Sequence, residues 1–129
     1  MLEKATVAAW LEAYVQAWKS YDPQAIGNLF SEDIAYQYTP FAEPVRGREA
    51  VVAAWLEDRD QPGTYDGHYE PELIEGDRAV TRGQSLYFEP DRKTLKAEWS
   101  NVFFLRFDEA GRCREYTEWF MSNPLKGEV

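Results

Sequence analysis

Glu118 is the residue whose type and surroundings point most directly to acid–base chemistry. It lies near the C-terminus in a segment where polar and apolar residues alternate. Burial among apolar side chains raises the pKa of a carboxyl group, and a carboxyl that titrates near neutral pH can accept and return a proton. We expect Arg82, Asn101 and Glu118 to form one polar row across three strands, in which Arg82 lowers the pKa of Glu118 again.

Two interpretations of this polar row remain open. In the first, Glu118 is a catalytic acid and base, and Arg82, Gln84 and Asn101 orient it. In the second, Arg82 and Glu118 are a structural ion pair that crosses a wet pocket floor. Arg82 itself could bind an anionic or carbonyl group of a ligand, or it could simply neutralise Glu118.

The expected register of the strands rests on turn signals. From residue 64 onward, four long segments alternate with period two, which predicts consecutive antiparallel strands. Turn residues separate them, at 75–77, 89–91 and 108–111. The pairings counted from these turns place Gln84 opposite Tyr69, and both Arg82 and Glu118 opposite Asn101. The backbones of Arg82 and Glu118 would then lie about 10 Å apart, a gap that their side chains can close.

The face of the sheet that carries the polar row is otherwise aromatic, and we expect it to wall a pocket. Tyr36 and Tyr38 are predicted to aim their hydroxyls into this pocket, whereas Tyr14 either does so or packs in the core. Trp55 and Trp99 either form flat walls or belong to the core. The expected pocket residues are Tyr14, Tyr36, Tyr38, Trp55, Tyr69, Gln84, Trp99, Asn101, Phe103, Tyr116 and Phe120, with Tyr65 and Leu86 on the same face.

The opposite face of the sheet is also too apolar for open solvent. It is predicted to carry Tyr87, Val102, Phe104, Trp119 and Met121, beside Ser85, Ser100 and Thr117. Large exposed apolar patches usually mark an interface. We therefore expect a homodimer through this outer face.

Helices precede the strands. Apolar residues recur at three- and four-residue steps over roughly 3–19, which predicts a helix with one buried face. Asp22 and Pro23 are typical of the N-cap and first position of a short second helix. A strand at 34–39 is followed by a loop through Pro44 and Gly47 and then by a third helix around Trp55. Helices followed by an antiparallel sheet predict an α+β fold with the helices on one face, and the length predicts one domain over residues 1–129.

Other residues have less support for a role in chemistry. His68 is a natural acid–base group near neutral pH, but the register places it on the face opposite Gln84, which favours a surface or interface role. A bulge near Pro71 would reverse this placement. Cys113 is the only cysteine and is expected to be a small buried residue. One histidine, one cysteine and dispersed acids have no metal-ligand spacing, and phosphate-binding loops and nucleophile elbows are absent from the sequence. We therefore expect neither a metal nor a cofactor.

Composition restricts the partners and the location. A formal net charge of −9 with scattered basic residues argues against binding to nucleic acid or anionic lipid. No stretch approaches the ~18 apolar residues of a membrane span, and the first residues lack the pattern of a signal peptide. Together with the single cysteine, these features favour a cytoplasmic protein.

Several strings along the chain carry a family resemblance. They are LEAYVQAWKSYD at 11–22, YQYTP at 36–40, RGREAV at 46–51, EGDRAV at 75–80 and RFDEAGR at 106–112. In this order they resemble the nuclear transport factor 2-like superfamily, in its SnoaL-like branch, over nearly the whole chain. The resemblance implies a cone-shaped fold with a deep pocket between a strongly curved sheet and helices, commonly dimeric through the sheet. It names no reaction, because this scaffold hosts isomerases, cyclases, hydrolases, dehydratases and non-catalytic modules.

Limonene epoxide hydrolase, an enzyme of this superfamily, is similar at several positions. Its pattern matches Tyr36 and Gln37 before Pro40, an arginine at Arg82 and an acid at Glu118. The positions of its water-activating aspartate and asparagine hold Gln84 and Tyr38 here. An amide cannot take a proton as a carboxylate does, so the resemblance does not imply the same water activation.

Ketosteroid isomerase, a second enzyme of the superfamily, is similar in the first helix and in the RFDEAGR turn. The resemblance implies that Tyr14 matches its oxyanion-binding tyrosine. The positions of its two catalytic aspartates hold Thr39 and Phe103, so neither the proton shuttle nor the second oxyanion donor is implied.

The sequence thus predicts a pocket for a small hydrophobic, oxygen-containing molecule and acid–base chemistry of the isomerase, cyclase or hydrolase type. The alternative is a non-catalytic ligand-binding or dimerisation module whose pocket is small or filled by its own aromatic residues. An open cavity of about 300 Å³ or more beside Glu118 would favour the first prediction.

Overall fold

The computed structural model describes residues 2–124. Within this range the elements follow in the order α1 (Lys4–Ser20), α2 (Pro23–Gly27), β1 (Phe30–Gln37), β2 (Val45–Arg46), α3 (Arg48–Glu57), β3 (Tyr65–Glu75), β4 (Arg78–Phe88), β5 (Leu95–Phe107) and β6 (Cys113–Ser122). The predicted helices and long strands are all present. The two-residue strand β2 lies in a segment that the sequence predicted as a loop.

The N-terminal helices form where the apolar spacing predicted them. The buried residues of α1 are Val7, Trp10, Leu11, Tyr14, Val15 and Ala17. The helix ends at Tyr21, whose φ of 52° is left-handed and whose N–H donates to the Ala17 carbonyl at 2.8 Å. Asp22 then caps α2, because its Oδ1 accepts a hydrogen bond of 3.1 Å from the Gln24 N–H.

The strands form one mixed sheet in the order β2-β1-β6-β5-β4-β3. Its pairings are antiparallel except for β1 and β6, which run parallel. The sheet is curled but not closed, and α1 contacts β3 while α3 contacts β1. This is the predicted α+β architecture, with the helices on one face of a mainly antiparallel sheet. We call the face toward the helices the inner face and the other the outer face.

The predicted strand register is correct beside the first two turns and wrong further along. Glu75 pairs with Arg78, but the pairing shifts between Pro71 and Leu73, so that Glu72 is an extra residue on β3. Lys96 is likewise an extra residue on β5. Because side chains alternate between faces, each one-residue bulge moves the residues beyond it to the other face relative to the neighbouring strand.

These bulges correct several predicted positions on β4. Arg82 and Gln84 lie on the outer face, opposite Val102 and Ser100, so the predicted polar row with Arg82 is wrong. Leu86 lies on the outer face with them. Ser85 and Tyr87, predicted outside, lie on the inner face, where Ser85 is buried and Tyr87 packs against the core.

The register between β5 and β6 also differs from the prediction, but without changing the faces. The turn is one residue longer than expected, since Phe107 pairs with Cys113, and Arg114 is then an extra residue. Glu118 therefore lies opposite Phe103 rather than Asn101. A shift of two residues preserves the alternation, so Asn101 and Glu118 share the inner face as predicted.

Candidate functional site

A cavity of ≈ 700 Å³ lies between the inner face of the sheet and helices α1 and α3. Every long element of the fold contributes to it. Its lining residues are Tyr14, Trp18, Tyr36, Tyr38, Ala54, Trp55, Asp58, Asp60, Tyr65, Tyr69, Ser85, Tyr87, Lys96, Ala97, Trp99, Asn101, Glu118 and Phe120. The wall is thus mainly aromatic, with a few polar groups, which is the composition of small-molecule sites.

Glu118 is held in the cavity wall by two hydrogen bonds, one to each carboxylate oxygen. The Tyr116 hydroxyl donates to Oε1 at 2.9 Å, and Nδ2 of Asn101 donates to Oε2 at 2.6 Å. An ionised carboxylate has only acceptors, so both donors favour its charged form. Each donor begins a longer chain of hydrogen bonds.

The first chain, which we call the tyrosine arm, consists of Tyr116 and Tyr14. Their hydroxyls lie 3.1 Å apart, and both side chains are buried. Since the single proton of Tyr116 is directed to Glu118, Tyr14 must donate to Tyr116. The tyrosine arm therefore links α1 to the carboxylate through hydroxyl groups alone.

The second chain, which we call the amide arm, consists of Asn101, Ser85, Tyr69 and Tyr65. Ser85 donates to Oδ1 of Asn101 at 2.9 Å. With its proton used there, Ser85 accepts from the Tyr69 hydroxyl, which in turn accepts from the Tyr65 hydroxyl at 2.8 Å. Every donor in the amide arm thus points along the chain toward Glu118.

Two glycines make room for the tyrosines of the amide arm. A Cβ on Gly67 would lie 2.8 Å from the Tyr69 hydroxyl oxygen and closer still to that of Tyr65. A Cβ on Gly83 would overlap the His68 carbonyl oxygen and lie 2.6 Å from Cα of Tyr69. The missing side chain of Gly67 leaves room for the two hydroxyls side by side, and that of Gly83 leaves room for the backbone and ring of Tyr69.

The pKa of Glu118 is raised to about 7, and burial is the cause. The hydrogen bonds from Tyr116 and Asn101 act in the opposite direction and lower the pKa. Among residues 2–124 no salt bridge joins Glu118 to a basic side chain. The expected partner, Arg82, is exposed on the outer face, where its Nε donates to Glu72 at 2.8 Å.

The tyrosines around Glu118 are neutral hydrogen-bonding groups at neutral pH. Burial raises the pKa of Tyr69 to about 12. Burial also raises the pKa of the other tyrosines that surround the carboxylate, which are Tyr14, Tyr36, Tyr65, Tyr87 and Tyr116. Glu118 is therefore the group of this set that changes its charge near pH 7.

Trp55 and Tyr36 lie beside this network. The indole nitrogen of Trp55 is buried and has no hydrogen-bond partner among the described residues. It is close enough to the Tyr36 hydroxyl to lower the pKa of that group, and so is Tyr116. Tyr36 and Tyr116 stack with ring centroids 4.3 Å apart, which continues the aromatic wall from β6 onto β1.

Charged side chains stand where the cavity opens. Asp60 accepts hydrogen bonds from the Trp18 indole at 3.0 Å and from the Tyr21 hydroxyl at 3.2 Å. Asp58 and Lys96 are exposed and also line the cavity. These bonds fix the carboxylate of Asp60 against the aromatic wall.

Most of the predicted pocket residues do line the cavity. They are Tyr14, Tyr36, Tyr38, Trp55, Tyr69, Trp99, Asn101 and Phe120. Phe103 and Tyr116 are on the inner face but packed beneath its surface, at 0% and 1% exposure. Gln84 does not belong to this set, because it lies on the outer face.

His68 lies on the outer face, where it pairs with Gln84 on the neighbouring strand. The predicted register had placed the two residues on different faces. The ring nitrogen of His68 is 3.1 Å from the exposed carboxylate of Glu70. The surface position agrees with the prediction, although the relation to Gln84 does not. Cys113 is fully buried, as expected.

Ser85, Tyr87 and the groups at the opening were not predicted from the sequence. The groups at the opening are Trp18, Asp58, Asp60 and Lys96. One signal was available for Ser85. Gly67 and Gly83 break the alternation of side chains on β3 and β4, and a glycine within a strand often marks a close approach of another group. Position 85 is two residues from Gly83 and therefore shares its face.

Within residues 2–124 no group of three or more histidine, cysteine or acidic side chains is placed to hold a metal ion. The described helices also include none that is long and apolar enough to cross a membrane.

Residues 11–116 match the family model of the SnoaL-like domain. The chain belongs to this family. The resemblance found in the sequence is thereby confirmed. Tyr14, Ser85 and Asn101 of this SnoaL-like domain lie inside the matched segment, whereas Glu118 lies just beyond it, so family membership alone assigns Glu118 no role.

Solved structures share the fold of this SnoaL-like domain. An LEH-like epoxide hydrolase from M. tuberculosis has 15% sequence identity and a TM-score of 0.67, with 93% of this chain and 86% of that chain covered. An NTF-2 like protein of unknown function from Burkholderia xenovorans LB400 has 17% identity and a TM-score of 0.68, with coverage of 92% and 85%. A putative ketosteroid isomerase from Kribbella flavida DSM 17836 has 18% identity and a TM-score of 0.67, with coverage of 93% and 81%. At these identities the likeness shows the nuclear transport factor 2-like fold and no activity.

Proposed function

We propose that this SnoaL-like domain is a cofactor-independent acid–base enzyme acting on a small hydrophobic, oxygen-containing molecule, with Glu118 as the group that accepts and returns a proton. The observation that carries the proposal is the position of Glu118. Its carboxyl lies in the wall of an aromatic cavity, and burial raises its pKa to about 7. A general base is most effective when its pKa is near the working pH.

The two hydrogen-bonded arms have different roles in this proposal. The tyrosine arm donates to Oε1 and so stabilises the ionised form of Glu118, which is the form that accepts a proton. Asn101 donates to Oε2 and orients it. The amide arm holds Asn101 in turn, because Ser85 donates to its oxygen.

The cavity suits a substrate of modest size. Its volume of ≈ 700 Å³ is above the ~300 Å³ expected of an open pocket, and it falls in the usual range for small-molecule sites. An interior filled by its own aromatic residues would leave no such space. The aromatic rings supply apolar contact area, and the hydroxyls of Tyr36 and Tyr87 can donate to a substrate oxygen. The epoxide hydrolase and ketosteroid isomerase named among the structural neighbours make small-molecule chemistry a reasonable expectation for this scaffold.

The test follows a proton from carbon to Glu118 and back. If Glu118 removes a proton beside a carbonyl, the electron pair of the C–H bond forms a C=C bond and the π pair of the carbonyl moves onto its oxygen. In D₂O the proton on Glu118 exchanges with solvent, and a deuteron returns to carbon as the carbonyl forms again. We would incubate the protein with a panel of small hydrophobic ketones, lactones and esters at about pD 7.5 and follow deuterium uptake by mass spectrometry. Exchange above the buffer rate is expected for compounds that bind.

Glu118→Gln should abolish this exchange, because an amide cannot accept the proton. The matched control is Glu109→Gln, which makes the same change at an exposed turn residue and should leave exchange unchanged. Equal exchange by both variants would refute the role of Glu118. Binding without any exchange by the unaltered protein would favour the second candidate, a non-catalytic ligand-binding module.

We also propose that the protein is a homodimer through the outer face. Phe104, Trp119 and Met121 are 44%, 55% and 68% exposed there. Phe104 and Trp119 contact each other edge to face, so they form one continuous apolar patch. An exposed apolar patch of this kind on the outer face of the sheet suits a second copy of the same surface.

A further inference from the structure

The lining of the cavity has more acidic than basic side chains. It includes the carboxylates of Asp58, Asp60 and Glu118 and one basic side chain, Lys96. Lys96 is exposed and forms no salt bridge with any of the three within the described part of the chain. The cavity therefore has an excess of negative charge that the described residues do not neutralise.

The carboxylates of Asp60 and Glu118 are partly buried in the aromatic wall, whereas Asp58 is exposed. Trp18 and Trp55 pack with ring centroids 4.6 Å apart, and the Trp18 indole also holds the Asp60 carboxylate. On the sheet side, Trp99 and Phe120 pack at 5.1 Å. The face of an aromatic ring carries partial negative charge, so these rings attract cations in addition to apolar groups.

We infer that the cavity binds an organic cation, a protonated amine or a quaternary ammonium, whose positive charge lies against Glu118 and the surrounding aromatic rings. This inference rests on the proposed small-molecule site and adds the charge class of its ligand. The substrate oxygen of the proposed function and the positive charge can belong to one molecule.

A cation fits the cavity better than a neutral molecule or an anion. A buried carboxylate without a counter-ion is unfavourable, and a cationic ligand would supply that counter-ion. A ring-lined space can accept a bulky ammonium group because such groups are weakly hydrated and gain from the ring faces. An anion would meet like charges at Asp58, Asp60 and Glu118, and a net charge of −9 on the whole chain opposes its approach.

The decisive experiment compares two ligands that differ only in charge. Benzoylcholine carries an aromatic ring, ester oxygens and a trimethylammonium group. In 3,3-dimethylbutyl benzoate a neutral carbon replaces the nitrogen, so shape and oxygen atoms are kept. Isothermal titration calorimetry of the full chain at about pH 8, where Glu118 is mostly ionised, should show about tenfold tighter binding of the cation. Similar affinities for the two compounds would overturn the inference.

Variants separate a local charge effect from attraction by the whole protein. Glu118→Gln should weaken benzoylcholine binding about tenfold while changing the binding of the neutral compound by less than about twofold. Glu109→Gln removes the same charge at an exposed turn and should change neither. If Glu109→Gln weakens the cation as much as Glu118→Gln does, or if benzoylcholine does not bind at about 1 mM, the inference is wrong.

The outcome for the proposed function is independent of this result. The exchange assay uses neutral carbonyl compounds and reports proton transfer, whereas the calorimetry reports charge preference. Exchange without a preference for the cation would preserve the enzyme and remove the cation site. A preference for the cation without exchange would preserve the cation site in a non-catalytic module.

Discussion

Asn101 and Glu118 are joined by a hydrogen bond of 2.6 Å from the amide nitrogen to Oε2, although they do not face each other in the strand register. The carboxyl group reaches diagonally across β5 and β6 to the amide. On its other side, Asn101 accepts from Ser85. Asn101 is therefore the link through which β4 fixes the orientation of Glu118.

Removing this link should change the titration of Glu118. In Asn101→Leu the carboxylate loses a donor that favours its charged form, so its pKa should rise above about 7. Carbon-detected NMR of side-chain carboxyl groups would measure the shift, with Glu118→Gln used to assign the signal. Ser85→Ala, which leaves the bond from Asn101 to Glu118 in place, should shift the pKa less. A larger pKa shift in Ser85→Ala than in Asn101→Leu would contradict the direct role of Asn101.

Glu118 should also make the stability of the protein depend on pH. Its pKa is about 7 in the folded chain against an ordinary value of 4.5, so the folded state binds the proton more tightly. The stabilisation from protonation is fully present below about pH 4.5 and is lost as pH rises through about 7. The difference corresponds to about 3 kcal/mol in the free energy of unfolding.

Urea unfolding at several pH values would check this dependence. The unaltered protein should lose stability between about pH 5 and pH 8, and Glu118→Gln should lose less over the same range. Exposed acids titrate in both proteins and cancel in the comparison. Parallel curves for the two proteins would mean that Glu118 titrates normally in the fold.

The glycines beneath the amide arm provide a test of the packing. Gly83→Ala would place a Cβ against the His68 carbonyl oxygen and the Tyr69 backbone, which cannot move aside. We expect a loss of about 1–3 kcal/mol in the free energy of unfolding. Gly67→Ala meets the movable hydroxyl ends of Tyr65 and Tyr69, so it should cost less stability but break the bond between them.

Gly27→Ala is the matched control for these two variants. Its Cβ would lie 3.7 Å from the Arg48 side chain and 3.8 Å from that of Val52, which is ordinary contact. Its stability should stay within about 0.5 kcal/mol of the unaltered protein. Urea unfolding of the three variants measures the free energy of unfolding. Equal losses in all three would show that the close contacts at the strand glycines do not cause the loss of stability.

The sequence predicted the elements well because they depend on local patterns. The apolar spacing of α1 and the Asp22-Pro23 cap are complete within a few residues, and so are the first two strand turns. The position of Glu118 on the inner face was also predicted, because the register error between β5 and β6 was two residues and left the faces unchanged.

The partner of Glu118 could not be predicted in the same way. Single extra residues at Glu72 and Lys96 reverse the faces of β4 relative to its neighbours. Pro71 allows a bulge beside Glu72 but does not require one, and nothing in the type of Lys96 indicates the other.

The predicted register placed Arg82 on the inner face, whereas the structure has Arg82 on the outer face and Ser85 on the inner face. A pocket predicted to contain a salt bridge thus contains a carboxyl held by neutral donors. Burial raises the pKa of this carboxyl to about 7, and no salt bridge among residues 2–124 lowers it again.

The position of Arg82 on the outer face is itself testable. Arg82 lies on the outer face with Glu72, so Arg82→Ala should leave the pKa of Glu118 and the exchange activity unchanged. Replacing a true ionic partner would instead raise the pKa of the carboxyl. The same NMR titration distinguishes the two cases, and a rise in the Arg82→Ala protein would restore the ion pair that the register excludes.

The outer face should control the oligomeric state. Trp119 contacts Phe104 near the middle of the apolar patch, so Trp119→Arg would place a charge where two copies meet and should convert a dimer to a monomer. The matched control is Phe41→Arg, which makes a similar change at an aromatic residue that is 98% exposed on the loop after β1. Light scattering during gel filtration would measure the mass of each protein. A monomeric unaltered protein, or dissociation caused by Phe41→Arg alone, would show that the patch on the sheet is not the dimer interface.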